Sequence, residues 1–370
     1  MANRRLTLAI SGYEHARDLT EGRVQPEGID LTCLQFEVEQ IFFRFTKYRE
    51  WDVSELSMGK YVALMAEDNP DLTAIPVFPS RVFRQSSIYV VKDSPLRTAE
   101  DLRGKRIGVP EWAQTAAIYT RGWLTHQIGI PLQDIDWVQA GVNQAGRREK
   151  VELHLPDGVR YTAVPERSLT EMLLAGDLDA IMTAHSPGPF EEGKPDIVQL
   201  FPNYREIEEA YFRETGINPI MHVMAVRRAV LEEDPWIAAN LLSAFEQAKQ
   251  NSYRRARQFT ASRLPLPWSA DLMQQAWDQF GGDPFPYGIE ANRPTLEAYL
   301  QYAYEQGVSR RLVNVEELFP KEVAAASESS GGADGFVRIT WPNGYFLADK
   351  ADRGATATKP DATGAERHGR

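Results

Sequence analysis

RIGVPEWAQTAAIYTRGWL, residues 106–124, is the stretch from which the fold is read. Gly104–Lys105 form a turn, and RIGVP is a short buried strand. Pro110 ends it, because proline has no N–H to continue a ladder. Glu111 to Thr115 then open a helix, AAIYTRGWL. A helix that begins where a parallel strand ends leaves unpaired backbone N–H groups, a setting that suits an anion. Further on, LLAGDLDAIMTAHSPGPF (173–190) predicts a helix end, a glycine and a second strand ending in Thr183, His185 and Ser186. Two such units predict an α/β architecture.

Working outward, strands are expected at 6–10, 29–36, 51–57, 72–79 and 84–91, with helices at 38–49 and 58–66 between them. LHLPDGVRYTAV (153–164) predicts a hairpin over Asp157-Gly158. A charged helix follows at 203–213, a returning strand at 218–226, and helices at 235–258, 269–280 and 294–306. The composition changes after Glu322: AAASESSGGADG reads as a linker, FVRITWPNGYFLA as a small hairpin, and the remainder as disordered. The expected layout is a first lobe of residues 1–95 plus 223–320, a second lobe of 96–222, and a linker and tail at 323–370.

The 370 residues suffice for two domains, and 43% hydrophobic with 25% charged residues is a globular balance. No apolar run approaches the ~20 residues of a membrane span. MANRRLTLAISGY alternates like a core strand, not like the apolar core of an export signal, so a cytoplasmic location is expected. The net charge of −11 argues against nucleic acid as a partner, and the lack of a long apolar run against a membrane. Self-association is left open. The single cysteine, Cys33, excludes an internal disulfide and multi-cysteine metal sites. There is no H-x-H, H-E-x-x-H, C-x-x-C, phosphate loop or G-x-S-x-G, so neither metal nor cofactor is expected.

Several constellations carry possible chemistry. SGYEHARDL (11–19) leaves the first strand at the edge where α/β sheets bind ligands, which nominates Tyr13, His15 and Arg17; the alternative is a solvated loop. WDVSELS (51–57) places Glu55 and Ser57 at a strand end, although Ser57 also suits a helix cap. PVFPSRVFRQSS (76–87) holds Arg81 and Arg84, whose forks match a carboxylate; the alternative is a structural ion pair. Glu111, Gln114 and Thr115 face the same edge from the second lobe, with His185 ending its strand. His222 sits on the returning strand, either in the cleft or as a core histidine.

GKRIGVP, a helix and then GDLDA resemble the second lobe of the type II periplasmic-binding-protein fold; the alternative is an ordinary strand–helix unit. The chain as a whole resembles the 4,5-dihydroxyphthalate decarboxylase family. The matching segments are LTLAISGYEHARDL, GIDLTCL, IFFRFTKYREWDVSELSMGKY, PVFPSRVFRQSSIYV, LRGKRIGVPEWAQTAAIYTRGWL and TGINPIMHVMAVRR. The resemblance implies a two-lobed fold with a ligand cleft between the lobes. It also implies loss of one carboxylate from a small aromatic dicarboxylate. His15, His222 and Glu55 are then expected as the proton-transfer residues. Tyr13, Arg17, Ser57, Arg81, Arg84, Glu111, Gln114, Thr115 and His185 are expected to bind substrate. Competing readings are a solute receptor, a thiamine-pyrimidine synthase, which the single cysteine disfavours, and a menaquinone-pathway lyase of the same fold.

Overall fold

Strand β1 (Arg4–Ile10) is the pivot of the first of two sheets in the computed structural model, which describes residues 3–261 and 263–323. Its alternating Leu6, Leu8 and Ile10 are buried, as the sequence pattern requires. It pairs in parallel with β2 (Ile29–Gln35) and β3 (Val53–Ser57). β4 (Leu72–Arg81) fills the far edge of this sheet. The chain then leaves it and builds a second sheet from β5 (Ile88–Val91), β6 (Arg106–Val109), β7 (Asp136–Gly141), β8 (Arg160–Ser168), β9 (Ala180–Met182) and β10 (Ile197–Gln199). After the helix Tyr204–Thr215, β11 (Ile220–Arg227) returns to the first sheet between β3 and β4, antiparallel to both. The sheet orders are β2-β1-β3-β11-β4 and β10-β5-β9-β6-β7-β8. The chain thus crosses twice, once between 81 and 88 and once between 199 and 220.

Three expectations shift. Strand β5, expected with the first lobe, pairs with β9 and β10 in the second sheet. The hairpin at 153–164 does not form. Residues 160–168 make β8, which pairs in parallel with β7, so its partner lies across a long connection and not across the Asp157-Gly158 turn. The helix Arg293–Glu305, expected to serve the first lobe, packs on the helix Thr115–Trp123 of the second. A Cβ on Gly122 would lie 2.3 Å from the Tyr302 ring, so only glycine permits this approach. The linker and tail expected beyond 323, with the hairpin over Pro342-Asn343-Gly344, lie outside the described residues.

β4 carries a device that matters for the site. Pro76 and Pro79 interrupt its ladder, and the register against β11 slips on both sides of His222. Proline cannot donate to a ladder, so the strand bulges there and re-aims the opposing side chains. His222 ends up beside Ser57 on β3 and Ser80 on β4.

Candidate functional site

The ends of β1 and β3 and the start of β11 meet at one point. Glu55, fully buried in the middle of β3 and not at its end as expected, organises it. Its Oε2 accepts the backbone N–H of Ser11 at 2.8 Å. Its Oε1 accepts the Tyr13 hydroxyl at 2.5 Å and His222 Nδ1 at 2.6 Å. The Tyr13 oxygen also lies 3.3 Å from Nδ1. A carboxylate acceptor at Nδ1 fixes the imidazole tautomer and orientation. His222 Nε2 then has no hydrogen-bond partner among the described residues, and the side chain is 17% exposed. The Phe42 ring meets the imidazole edge-on at 4.9 Å. Burial, and then the Glu55 charge, raise the Tyr13 phenol far above its ordinary range, so it stays protonated and donates.

His15 follows Tyr13 into the same region. Its ring lies 5.3 Å from that of Tyr13 and 5.1 Å from that of Phe285. Burial pushes the imidazole down to about 4; the Lys249 ammonium adds to this, and the Pro79 carbonyl, Glu55 and Asp283 oppose it. His15 is therefore a neutral imidazole at pH 7, and its Nε2 is buried with no partner among the described residues.

The two arginines of the Pro-rich segment separate sharply. Arg81 was expected to hold an anion; its guanidinium instead straps the first lobe together. It donates to the carbonyls of Asn218 (2.9 Å) and Pro286 (2.7 Å) and to the Asn292 amide oxygen. Arg84 reaches only soft or neutral acceptors, Met221 Sδ at 3.2 Å and Ser87 Oγ at 3.5 Å. It makes no ion pair among the described residues. Burial lowers it to about 10, still charged at neutral pH. It lies in the first crossover, against the residue preceding His222.

The second lobe meets the first through Thr115. Its hydroxyl bonds Ser57 Oγ at 3.0 Å and accepts the Gly59 N–H at 3.0 Å. Ser57 thus spends its hydroxyl across the cleft and not on capping the helix Met58–Met65. Gly59 is obligatory here, since a Cβ would sit 2.5 Å from the Ala113 carbonyl oxygen. Gln114 ties the helix start to the end of β9 by accepting the Ala184 N–H at 3.3 Å.

Three more expected binding residues go elsewhere. Arg17 lies on an exposed face, paired with Glu21 at 2.8 Å and Glu14 at 3.5 Å; the turn Glu14–Ala16 rotates it away from the cleft. Glu111 is buried but neutralised within its own lobe by Arg147 (2.7 Å) and Lys150 (2.9 Å). His185 stands at the cleft mouth, half exposed, with Nε2 3.7 Å from Glu39 of the first lobe. His185, then Arg147 and Lys150, hold the Glu39 carboxyl well below its usual range against its burial. This cross-cleft cluster was not anticipated; the RREK run at 147–150 was its only trace in the sequence. Ser80, Phe42 and Phe285 were missed too, because apolar and hydroxyl residues carry no chemical signature of their own. Among the described residues no group of three or more His, Cys, Asp or Glu is placed to hold a metal ion.

No family model matches the chain. Curated relatives do. The 4,5-dihydroxyphthalate decarboxylase of Comamonas testosteroni is 34% identical over 320 residues, 86% of this chain and 97% of the relative. That of Pseudomonas putida is 39% identical over 197 residues, 53% of this chain and 76% of the relative. Among solved structures, a putative periplasmic sulfonate-binding protein of Methylobacillus flagellatus aligns over 94% of this chain and 99% of its own, at 14% identity and a TM-score of 0.54. That likeness shows the two-lobed periplasmic-binding-protein-like fold.

Proposed function

The chain belongs to the 4,5-dihydroxyphthalate decarboxylase family, and we propose that it converts 4,5-dihydroxyphthalate to 3,4-dihydroxybenzoate and carbon dioxide at the Glu55–His222 site. The observation that carries the assignment of the site is the His222 imidazole: Nδ1 held by a buried carboxylate, Nε2 left open.

Each carboxylate of this substrate is para to a hydroxyl. Removing the hydroxyl proton drives electron density onto the carboxylate-bearing carbon. Protonation of that carbon followed by loss of carbon dioxide restores the ring, and one proton is consumed overall. The reaction therefore needs a base near the phenol, an acid near the ring carbon and a cation for the retained carboxylate. His222 Nε2 is the acid of this scheme. Glu55 orients it, and Tyr13 holds Glu55 by donating to the same oxygen. His15, neutral at pH 7 and with an unused Nε2, is the base. Arg84 takes the retained carboxylate, supported by its charge and by its having no ion pair among the described residues, Glu208 acting on it only through a weaker charge interaction. The leaving carboxylate lies toward Phe42, because a tight grip on it in the ground state would raise the barrier.

The test compares the protein with His222→Gln in carbon dioxide release from 4,5-dihydroxyphthalate. His222→Gln is expected to lose roughly 10²–10⁴-fold in kcat, the size of a general acid–base contribution. A rate and pH profile equal to those of the parent would remove His222 from the mechanism.

A further inference from the structure

A cationic cavity shares no lining residue with the Glu55–His222 site. Its volume is about 430 Å³, within the range that holds a small ligand. The first lobe supplies Phe43, Lys47, Lys60 and Leu64; the second supplies Lys150 and Val151. Arg310 and Glu67 also reach it and lie 3.7 Å apart, with Asp68 2.9 Å from Arg310, so that arginine is neutralised. Lys150 is shared with Glu111 and Glu39. Lys47 lies over the rings of Phe43 and Tyr48, at 5.4 and 5.1 Å. Lys60 makes no hydrogen bond or ion pair among the described residues. Burial, and then Lys150, lower its ammonium below the ordinary lysine range; Glu111 and Glu39 act against this, and Arg147 with it. Glu152 is the one further carboxylate on the lining.

A protein with net charge −11 has collected cations at one concave place and left one half-buried ammonium, Lys60, without an ion pair among the described residues, beside the exposed Lys47. An unpaired, desolvated ammonium is costly, and an anion that enters relieves it. Besides Thr46, His154 and Glu152, the wall carries an apolar face of Phe43, 54% exposed, Leu64 and Val151. A bare inorganic anion would leave that surface wet. We propose that this cavity is an accessory binding site for a small aromatic carboxylate, with its carboxylate between Lys60 and Lys150 and its ring against Phe43 and Leu64. The site is independent of the decarboxylase reading.

Benzoate is the probe. To silence the cleft, the full-length Arg84→Met protein is titrated calorimetrically. One benzoate is expected to bind, and affinity is expected to fall at least tenfold when Lys60→Met is added. Leu64→Glu in the same background, which keeps every lysine but sets a carboxylate against the ring, is expected to do the same. Melting temperatures of each variant identify any that fail to fold, and the other then decides. No binding to Arg84→Met, or equal binding with both further changes, overturns the site. Displacement of benzoate by equimolar inorganic phosphate overturns the aromatic class.

Discussion

Glu55→Gln is the sharpest perturbation of the site. The native carboxylate accepts three hydrogen bonds, from Ser11 N–H, Tyr13 O–H and His222 Nδ1–H. An amide that keeps its oxygen on Ser11 turns its NH₂ toward Tyr13 and His222. His222 must then accept at Nδ1, so Nε2 holds the only proton of the ring and giving it up would leave an imidazolate, whereas the native Nδ1–H stays on Glu55 while Nε2 takes up and delivers the proton that the reaction consumes. Two charge-assisted bonds, at about 1.5–3 kcal/mol each, are lost or inverted. Release from holding a buried charge offsets part of this in the fold. No such offset exists in the transition state, so kcat is expected to fall roughly 10²–10⁴-fold, about 3–5 kcal/mol. The melting temperature should move by only a few degrees. Tyr13→Phe removes one donor and leaves the tautomer alone, so its loss should stay near tenfold. The assay is single-turnover conversion of 4,5-dihydroxyphthalate with both variants beside the parent. The reasoning is refuted if Glu55→Gln stays within threefold of the parent, or if Tyr13→Phe falls as far as Glu55→Gln.

The remaining predictions separate roles that look alike in the sequence. Arg84→Met should raise KM for the dicarboxylate, by about 2–5 kcal/mol in binding, and leave the unfolding midpoint near that of the parent. Arg81→Met should do the reverse: steady-state KM unchanged, with about 2–4 kcal/mol of stability lost in urea unfolding, because the Asn218 and Pro286 carbonyls lose their donor. For His15 the folded imidazole is at about 4 and the unfolded one at 6.5. Between these values the unfolded chain binds the extra proton, so stability is lost as pH falls from 6.5 toward 4. From pH 7 to pH 5 the parent should lose about 2 kcal/mol more than His15→Gln in denaturant titrations; equal losses would contradict a neutral, buried His15. Gly59→Ala should cost about 1–3 kcal/mol and raise KM, since its Cβ forces the Ala113 backbone and the lobes apart; an unchanged melt would contradict the close approach.

The legible parts of the site are those fixed by strand periodicity. Alternation in VSELS puts Glu55 and Ser57 on one strand, and the strand character of IMHVMAV sets His222 opposite Ser57 and diagonal to Glu55. Short-range rotation was not legible. Three residues of tight helical turn carry Arg17 away from the cleft that Tyr13 enters. Arg81 and Arg84 share one loop in the sequence, yet the bulge at Pro76 and Pro79 sends one into the core and leaves the other unpaired. The Asp157-Gly158 turn misled because a turn signal does not say that its flanking segments pair; β8 found β7 in parallel instead. The Glu39–Arg147–Lys150 cluster depends on two lobes meeting, a relation that no local pattern encodes.

The central claim is that the ring carbon, not only the carboxylate, reacts here. It is tested most directly by incubating the protein with 4,5-dihydroxyphthalate in D₂O and following products by NMR with carbon dioxide capture. The account predicts one carbon dioxide per substrate and 3,4-dihydroxybenzoate carrying deuterium at the carbon that lost its carboxylate. Tight binding of the dicarboxylate with neither carbon dioxide nor ring deuterium would contradict it and make the protein a receptor.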